Sequence, residues 1–320
     1  MDFGTVLMAI IVVIGVPAAT VGYALLTERL LKLVRPQRRA AVRPWLWLLP
    51  GFAFLGLYLI YPTINTLILS FQNSNSTEFV GVENYATLLN QGGFWQTMLN
   101  TGLWIVFFAA VVVLLGILIA VLADRVRYET AVKALVFLPL AISFVAAGVI
   151  WNFMYDFDPD RGTVNAIVGI AGVEPQSWLT EWPRNTFMLI IVGIWMWVGF
   201  ATVILSAGLK GISTELLEAA RMDGANELQV FFRIILPLLA PTIAVVATTI
   251  VITALKTFDI IYVMTGGNFG TNNLATLFYA ERFRAFDAGT AAAVAIILLL
   301  AIIPVMLFNI RRFQAQEAIR

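Results

Sequence analysis

Seven runs of some 20 or more mostly apolar residues decide what this chain can become. They fall roughly at Thr5–Leu26, Trp45–Phe71, Met98–Ala123, Ala134–Tyr155, Phe187–Leu209, Leu238–Met264 and Ala288–Ile310, and charges are nearly absent within them. A helix needs about 20 apolar residues to cross the hydrocarbon core of a bilayer. Lipid offers the backbone no hydrogen-bonding partner, so each run must satisfy its own N–H and C=O groups, and helices follow. The expected fold is an all-α integral membrane protein with about seven transmembrane helices. Composition agrees, since only 12% of the 320 residues are charged, where a soluble domain carries about 25%.

The same inventory excludes much chemistry. There is no His and no Cys, which removes the commonest general base, thiol nucleophiles and thiolate metal sites. A net charge of +1 gives no case for nucleic acid. No phosphate loop of the form G-x-x-x-x-G-K-[ST] is present. No catalytic or metal-ligating residues are expected, and the chain reads as a non-enzyme.

Orientation follows from the distribution of Lys and Arg. The first span is preceded by Asp2 and followed by Arg29, Lys32, Arg35, Arg38, Arg39 and Arg43. That order is the reverse of a signal peptide, which needs its basic region first. With the N-terminus outside, segments 27–44, 124–133, 210–237 and 311–320 are inside and hold fifteen of the 20 basic residues. The outer segments hold four, Arg161, Arg184, Arg282 and Arg284, and Lys256 lies within a span. The expected topology is N-out and C-in, with 209–241 in the cytoplasm.

That cytoplasmic stretch carries Glu215, Glu218, Arg221, Asp223, Glu227 and Arg233 between two apolar spans. Ser213 or Thr214 suits a helix start, with Glu215 in the favourable first turn. Leu216, Leu217, Ala219 and Ala220 make one side apolar. Gly224 suits the left-handed position after a helix end, and Asn226 with Gln229 reads as a capping box for a second helix. The expectation is a short amphipathic helix, a tight turn and a helix that enters the membrane. Without more, this is also how an ordinary solvated loop would read.

The run EAARMDG, Glu218 to Gly224, followed by IILP, Ile234 to Pro237, resembles the EAA motif of permease subunits of ATP-binding-cassette importers, and every spacing matches. The resemblance implies a coupling helix that docks on an ATPase subunit, a role it gives to Glu218, Ala219, Ala220, Asp223 and Gly224, with Glu215 and Ala225 beside them. A second run, FDIIYVMTGG at Phe258–Gly267, is similar to a signature of carbohydrate importer permeases of the maltose and alpha-glucoside type. Its continuation NFGTNNLATLFY is similar to the alpha-glucoside branch. Ser213 stands where the family usually has Pro, and GGNFG where it often has GGGP.

The resemblance covers the chain from about Trp45 onward. It implies a type I importer core of six helices over 45–320, including the loop 209–241. Residues 1–44 would be an additional N-terminal transmembrane helix and basic linker. The chain would bind no cofactor, ATP and Mg being used by two partner ATPases. Its other implied partners are a second permease subunit of different sequence, an extracytoplasmic solute-binding protein and a neutral sugar, an alpha-glucoside or related oligosaccharide. The setting would be a bacterial or archaeal plasma membrane.

Candidates for the solute pathway come from polar and flat side chains inside the spans. Ionisable residues there are costly and face a cavity or each other. Thr249, Thr253, Lys256 and Asp259 are spaced to share one helix stripe, which reads either as a pathway lining or as a structural Lys256–Asp259 ion pair. Trp195 and Trp197 in the fifth span point to different faces, so at most one of them faces a pathway. Trp151, Asn152 and Tyr155 sit at the outer end of the fourth, where aromatic residues gather in any membrane protein. Tyr262 completes the set through the FDIIYVMTGG run. No span is lined by several cations, which points to a neutral solute.

Overall fold

A computed structural model describes residues Phe3–Glu317, which are helical apart from connecting loops and one isolated β-bridge, Gln72 to Phe79. The chain divides into two compact units, 1–65 and 66–320.

The first unit contains α1 (Phe3–Leu33) and most of α2 (Pro36–Leu69). The basic linker expected between two spans is therefore helical except at the turn. Pro36 explains the restart: it stands at the beginning of α2, where its fixed φ fits the helix and its missing N–H is not needed. None of the most apolar window of α2 is buried.

The second unit begins with α3 (Glu83–Asn90) and α4 (Phe94–Ala123). Helices α5 (Glu129–Ala141) and α6 (Phe144–Met154) follow, then α7 (Thr163–Ile170) and α8 (Arg184–Lys210). After α9 (Thr214–Met222) come α10 (Glu227–Leu255), α11 (Asp259–Met264), α12 (Leu274–Tyr279) and α13 (Ala288–Glu317). Helix α8 is the central strut, with 56% of its most apolar window buried. Its Leu189, Met196 and Leu205 pack with Trp104, Phe108 and Val112 of α4 and with Leu239, Val246 and Ile250 of α10. Among the described residues, α2, α4, α8 and α10 are long and apolar enough to cross a membrane, and α5 with α6 makes a fifth crossing if the bent pair counts as one.

Two of the expected spans are not continuous. The fourth bends by 99° between α5 and α6. Pro139 sits in a tight 3₁₀ turn there, and the Ser143 hydroxyl accepts from Ala146 N at 3.1 Å to start a new helix. The sixth stops at Leu255 and resumes at Asp259. Irregular backbone at membrane depth survives only where protein satisfies it or a cavity borders it. Both conditions hold here: Asn273 Nδ2 donates to the Thr257 carbonyl at 2.6 Å, and the break borders a cavity.

Candidate functional site

The cavity at the break has a volume of about 220 Å³. Its walls are aromatic, with Trp104 and Phe108 from α4, Phe144 from α6, Trp197 from α8 and Phe258 from the break itself. Thr253, Lys256, Thr257 and Asp259 supply its polar side. Gly193 lets α8 lie against Trp104, since a Cβ there would stand 2.8 Å from the indole ring. The Trp104 indole N–H is buried without a hydrogen-bond partner, an unsatisfied donor of the kind that carries a free-energy cost unless something accepts from it.

Of the residues singled out from the sequence, Trp197, Thr253, Lys256 and Asp259 meet in this cavity, and Asn152, Trp195, Thr249 and Tyr262 do not line it. The single helical stripe is broken, because Asp259 starts a new helix four residues after the old one ends at Leu255. Lys256 and Asp259 are both exposed and form no ion pair with each other. The hydroxyls of Thr249, Thr253 and Thr257 donate to carbonyls four residues back at 2.9 to 3.0 Å, so they tie the helix to itself. Trp195 packs edge-on against Trp151, which also touches Tyr155. Asn152 Nδ2 reaches the Val263 carbonyl at 3.4 Å. Tyr262 stacks on Phe258 and lies under the Arg284 guanidinium.

The residues that hold this region in place lie outside the candidates drawn from the sequence. Buried Asn100 donates to the carbonyls of Gly270 and Asn272 at 2.6 and 2.8 Å, and Asn185 donates to Phe269 O at 2.8 Å. Thr101 accepts from the Leu274 N–H at 3.1 Å. The run after FDIIYVMTGG is thus pinned to α4 and α8 by buried amides. Asparagines inside an otherwise apolar span are costly unless bonded, and that was the available signal.

The loop 209–241 takes the expected helix–turn–helix form. Ser213 holds the extended N-cap backbone of α9 but its side chain makes no capping bond, which corrects that expectation. The helix ends as anticipated, with Gly224 at φ +85°. The Gly224 N–H donates to Arg221 O and the Ala225 N–H to Ala220 O, both at 3.0 Å, the double closure of a Schellman motif. Asn226 and Gln229 form a reciprocal capping box, each bond 2.9 Å. No residue of α9 is buried. Glu215, Glu218, Ala219, Asp223 and Gly224 are exposed, and Ala220 and Ala225 partly so.

Two carboxylates tie this loop to segment 124–133. Glu227 accepts from Arg221 Nε and from Arg125 Nη2, each at 2.8 Å. Glu129 accepts from Lys133 and lies 2.8 Å from Lys210 Nζ at the end of α8. Lys133 also donates to the buried Ser206 hydroxyl. Both carboxylates lie in the segments read as cytoplasmic, and both titrate below their ordinary value. The Arg221 hydrogen bond is the largest cause for Glu227, and the Lys133 hydrogen bond, followed by Lys210, for Glu129.

Comparison with known proteins gives this arrangement relatives. The sequence profile of a family described as binding-protein-dependent transport system inner membrane component matches residues 113–311. The chain is 47% identical over 279 residues to the osmoprotective compounds uptake permease protein GgtC of Synechocystis sp., covering 86% of this chain and 100% of that one. It is 44% identical over 276 residues to the alpha-glucoside transport system permease protein AglF of Rhizobium meliloti, covering 85% and 82%. A crystal structure of a bacterial ABC transporter that imports alginate superposes with a TM-score of 0.72 at 24% identity, over 87% of this chain and 97% of that one. A second structure of a bacterial alginate transporter, in complex with an alginate pentasaccharide-bound periplasmic protein, superposes at 0.70 and 26% identity, over 86% and 96%.

Proposed function

The chain belongs to the family of binding-protein-dependent transport system inner membrane components, and from that membership we propose that it forms half of the pathway of an ATP-driven importer for a neutral, polyhydroxylated solute of the alpha-glucoside class. The observation that carries the coupling part is α9: an amphipathic helix with no buried residue, closed by a Schellman turn at Gly224 and held at both ends by Glu227 and Glu129. Such a helix is shaped to dock on a soluble subunit, here one of two ATPases that bind ATP and Mg. Glu215, Glu218, Ala219, Ala220, Asp223, Gly224 and Ala225 would make that contact. Because α9 is tied to α8 before it and α10 after it, closure of the ATPases would move both helices together. The cavity borders both, and alternating access would follow.

The aromatic cavity supports the solute class. Trp197 and Phe258 offer flat faces to the C–H side of a pyranose, and Lys256 and Asp259 offer hydrogen bonds to its hydroxyls. One cation and one anion leave the lining with no net charge, which suits a neutral solute. The similarity to alpha-glucoside and osmoprotectant permeases supports the same class. Delivery would come from an extracytoplasmic binding protein, and a second permease chain would complete the pathway. The topology proposed is N-out and C-in, with residues 1–44 as an addition to a six-helix core.

Uptake of a panel of labelled alpha-glucosides and a labelled osmoprotective solute, in cells carrying the transporter or lacking this chain, tests the reading. Uptake that needs this chain and ATP, and that withstands an ionophore, is expected. Uptake that survives ATP depletion and collapses with the ionophore would replace the reading with a secondary carrier.

A further inference from the structure

The first unit carries a feature that solute transport does not use. At the turn between α1 and α2, Arg29, Lys32, Arg35, Arg38, Arg39 and Arg43 fall within fifteen residues, against one acid, Glu28. Two of the cations hold the hairpin. Arg39 donates to Val34 O at 3.0 Å and Lys32 O at 3.2 Å, closing the end of α1, and Arg43 pairs with Glu28 at 2.9 Å. Tyr23 adds a third tie, donating to Leu46 O and meeting Trp47 edge-on. The remaining four, Arg29, Lys32, Arg35 and Arg38, have no side-chain partner among the described residues. Between the two helices lies a cavity of about 430 Å³, lined by Lys32, Arg39 and Arg43, by Glu28 with its carboxylate held on Arg43, and by Leu31, Pro36 and Ala40, so three cations face one acid.

We propose that this pocket binds the headgroup of an anionic phospholipid. A phosphodiester is the anion that Arg forks and Lys match best. The neighbourhood selects a lipid as its carrier. Leu30 and Leu33 before the turn, and Trp45, Trp47, Leu48 and Leu49 after it, are all exposed, Leu33 at 84% and Trp45 at 66%. Exposed Trp beside a basic cluster marks the headgroup level of a membrane, where basic pockets between helices take acidic headgroups. The inside-positive charge bias alone requires cations in this segment, but it requires neither a pocket nor particular positions. That difference is measurable.

The full chain, purified with its partner subunits in detergent, is incubated with phosphatidylglycerol or phosphatidylcholine, and retained lipid is counted by native mass spectrometry. Wild type is expected to retain phosphatidylglycerol selectively. Lys32→Gln, the lining cation whose side chain takes part in neither hairpin tie, should weaken retention roughly fivefold, the factor that corresponds to about 1 kcal/mol per cation near the surface. A control that removes two cations of the same turn outside the pocket, Arg35→Gln/Arg38→Gln, should retain lipid as wild type does. Equal loss in the control, or no preference in wild type, overturns the proposal in favour of a diffuse charge effect. Displacement of the lipid by millimolar inorganic phosphate would assign the pocket to a free anion and overturn the lipid.

Discussion

Gly224 shows how much one residue can carry. Its φ of +85° lies in the left-handed region, yet a Cβ there would meet nothing within 4 Å. Substitution therefore acts through backbone strain, about 1–2 kcal/mol for an L-residue, without a clash. Gly224→Asp is expected to leave the assembly intact while uptake falls and ATPase activity no longer responds to the loaded binding protein. Normal uptake with coupled ATPase in that variant would count against the coupling role. Gly193 is limited the other way, by space. Gly193→Ala would push a methyl into the buried ring of Trp104, an overpacking that costs about 1–3 kcal/mol and intrudes on the cavity. A raised KM for solute with little change in ATPase coupling is expected; a defect in coupling alone would separate the cavity from the pathway. Lys256→Ala and Asp259→Ala should each lower uptake without loss of assembly. If both purify intact and transport normally, the cavity is not the route.

Between elements, the decisive contacts are the two carboxylates that clasp the ends of the loop 209–241. Exposed ion pairs are individually weak and are screened by salt, so their value lies in fixing geometry. The sign of the pH dependence follows from the lowered titration of Glu227. A carboxyl whose folded value lies below its ordinary 4.5 contributes stability that is fully present above that ordinary value and is lost as pH falls through the lowered one. Amide protection across 221–229, measured against the intrinsic exchange rate at each pH, should therefore be high at neutral pH and lower at strong acid or in high salt. Glu227→Gln should show the low protection at neutral pH. Exchange in that variant indistinguishable from wild type would mean that the capping box and the Gly224 turn hold the loop unaided. Those two devices were legible in the sequence because caps and turns are local, set within four residues. The clasp was not, because Arg125 and Glu227 are 102 positions apart and nothing local marks them as partners.

At the scale of the molecule, orientation is open to direct measurement because the chain contains no Cys. Single cysteines at Glu215 or Arg127 should react with an impermeant thiol reagent only after cells are opened, and those at Ser76 or Arg161 in intact cells. The reverse pattern would invert the proposed topology. The sequence by itself determined that the chain is helical and membrane-embedded, since 20-residue apolar runs leave the backbone no other way to satisfy its hydrogen bonds. It also determined the family, since motif and spacing are one-dimensional. Only the tertiary structure decided where the helices stop. The break at Ile142–Ser143 lies inside an uncharged apolar run, while that at Lys256–Phe258 contains Lys256 and abuts Asp259, and it stands because Asn273, sixteen residues downstream, donates to the freed carbonyl of Thr257. Tertiary structure likewise decided which candidates meet. Trp195 and Trp197 are two residues apart, equally apolar and both half-buried, and only packing, Trp151 against the one and the Lys256–Asp259 break beside the other, decides that Trp197 lines the cavity and Trp195 does not.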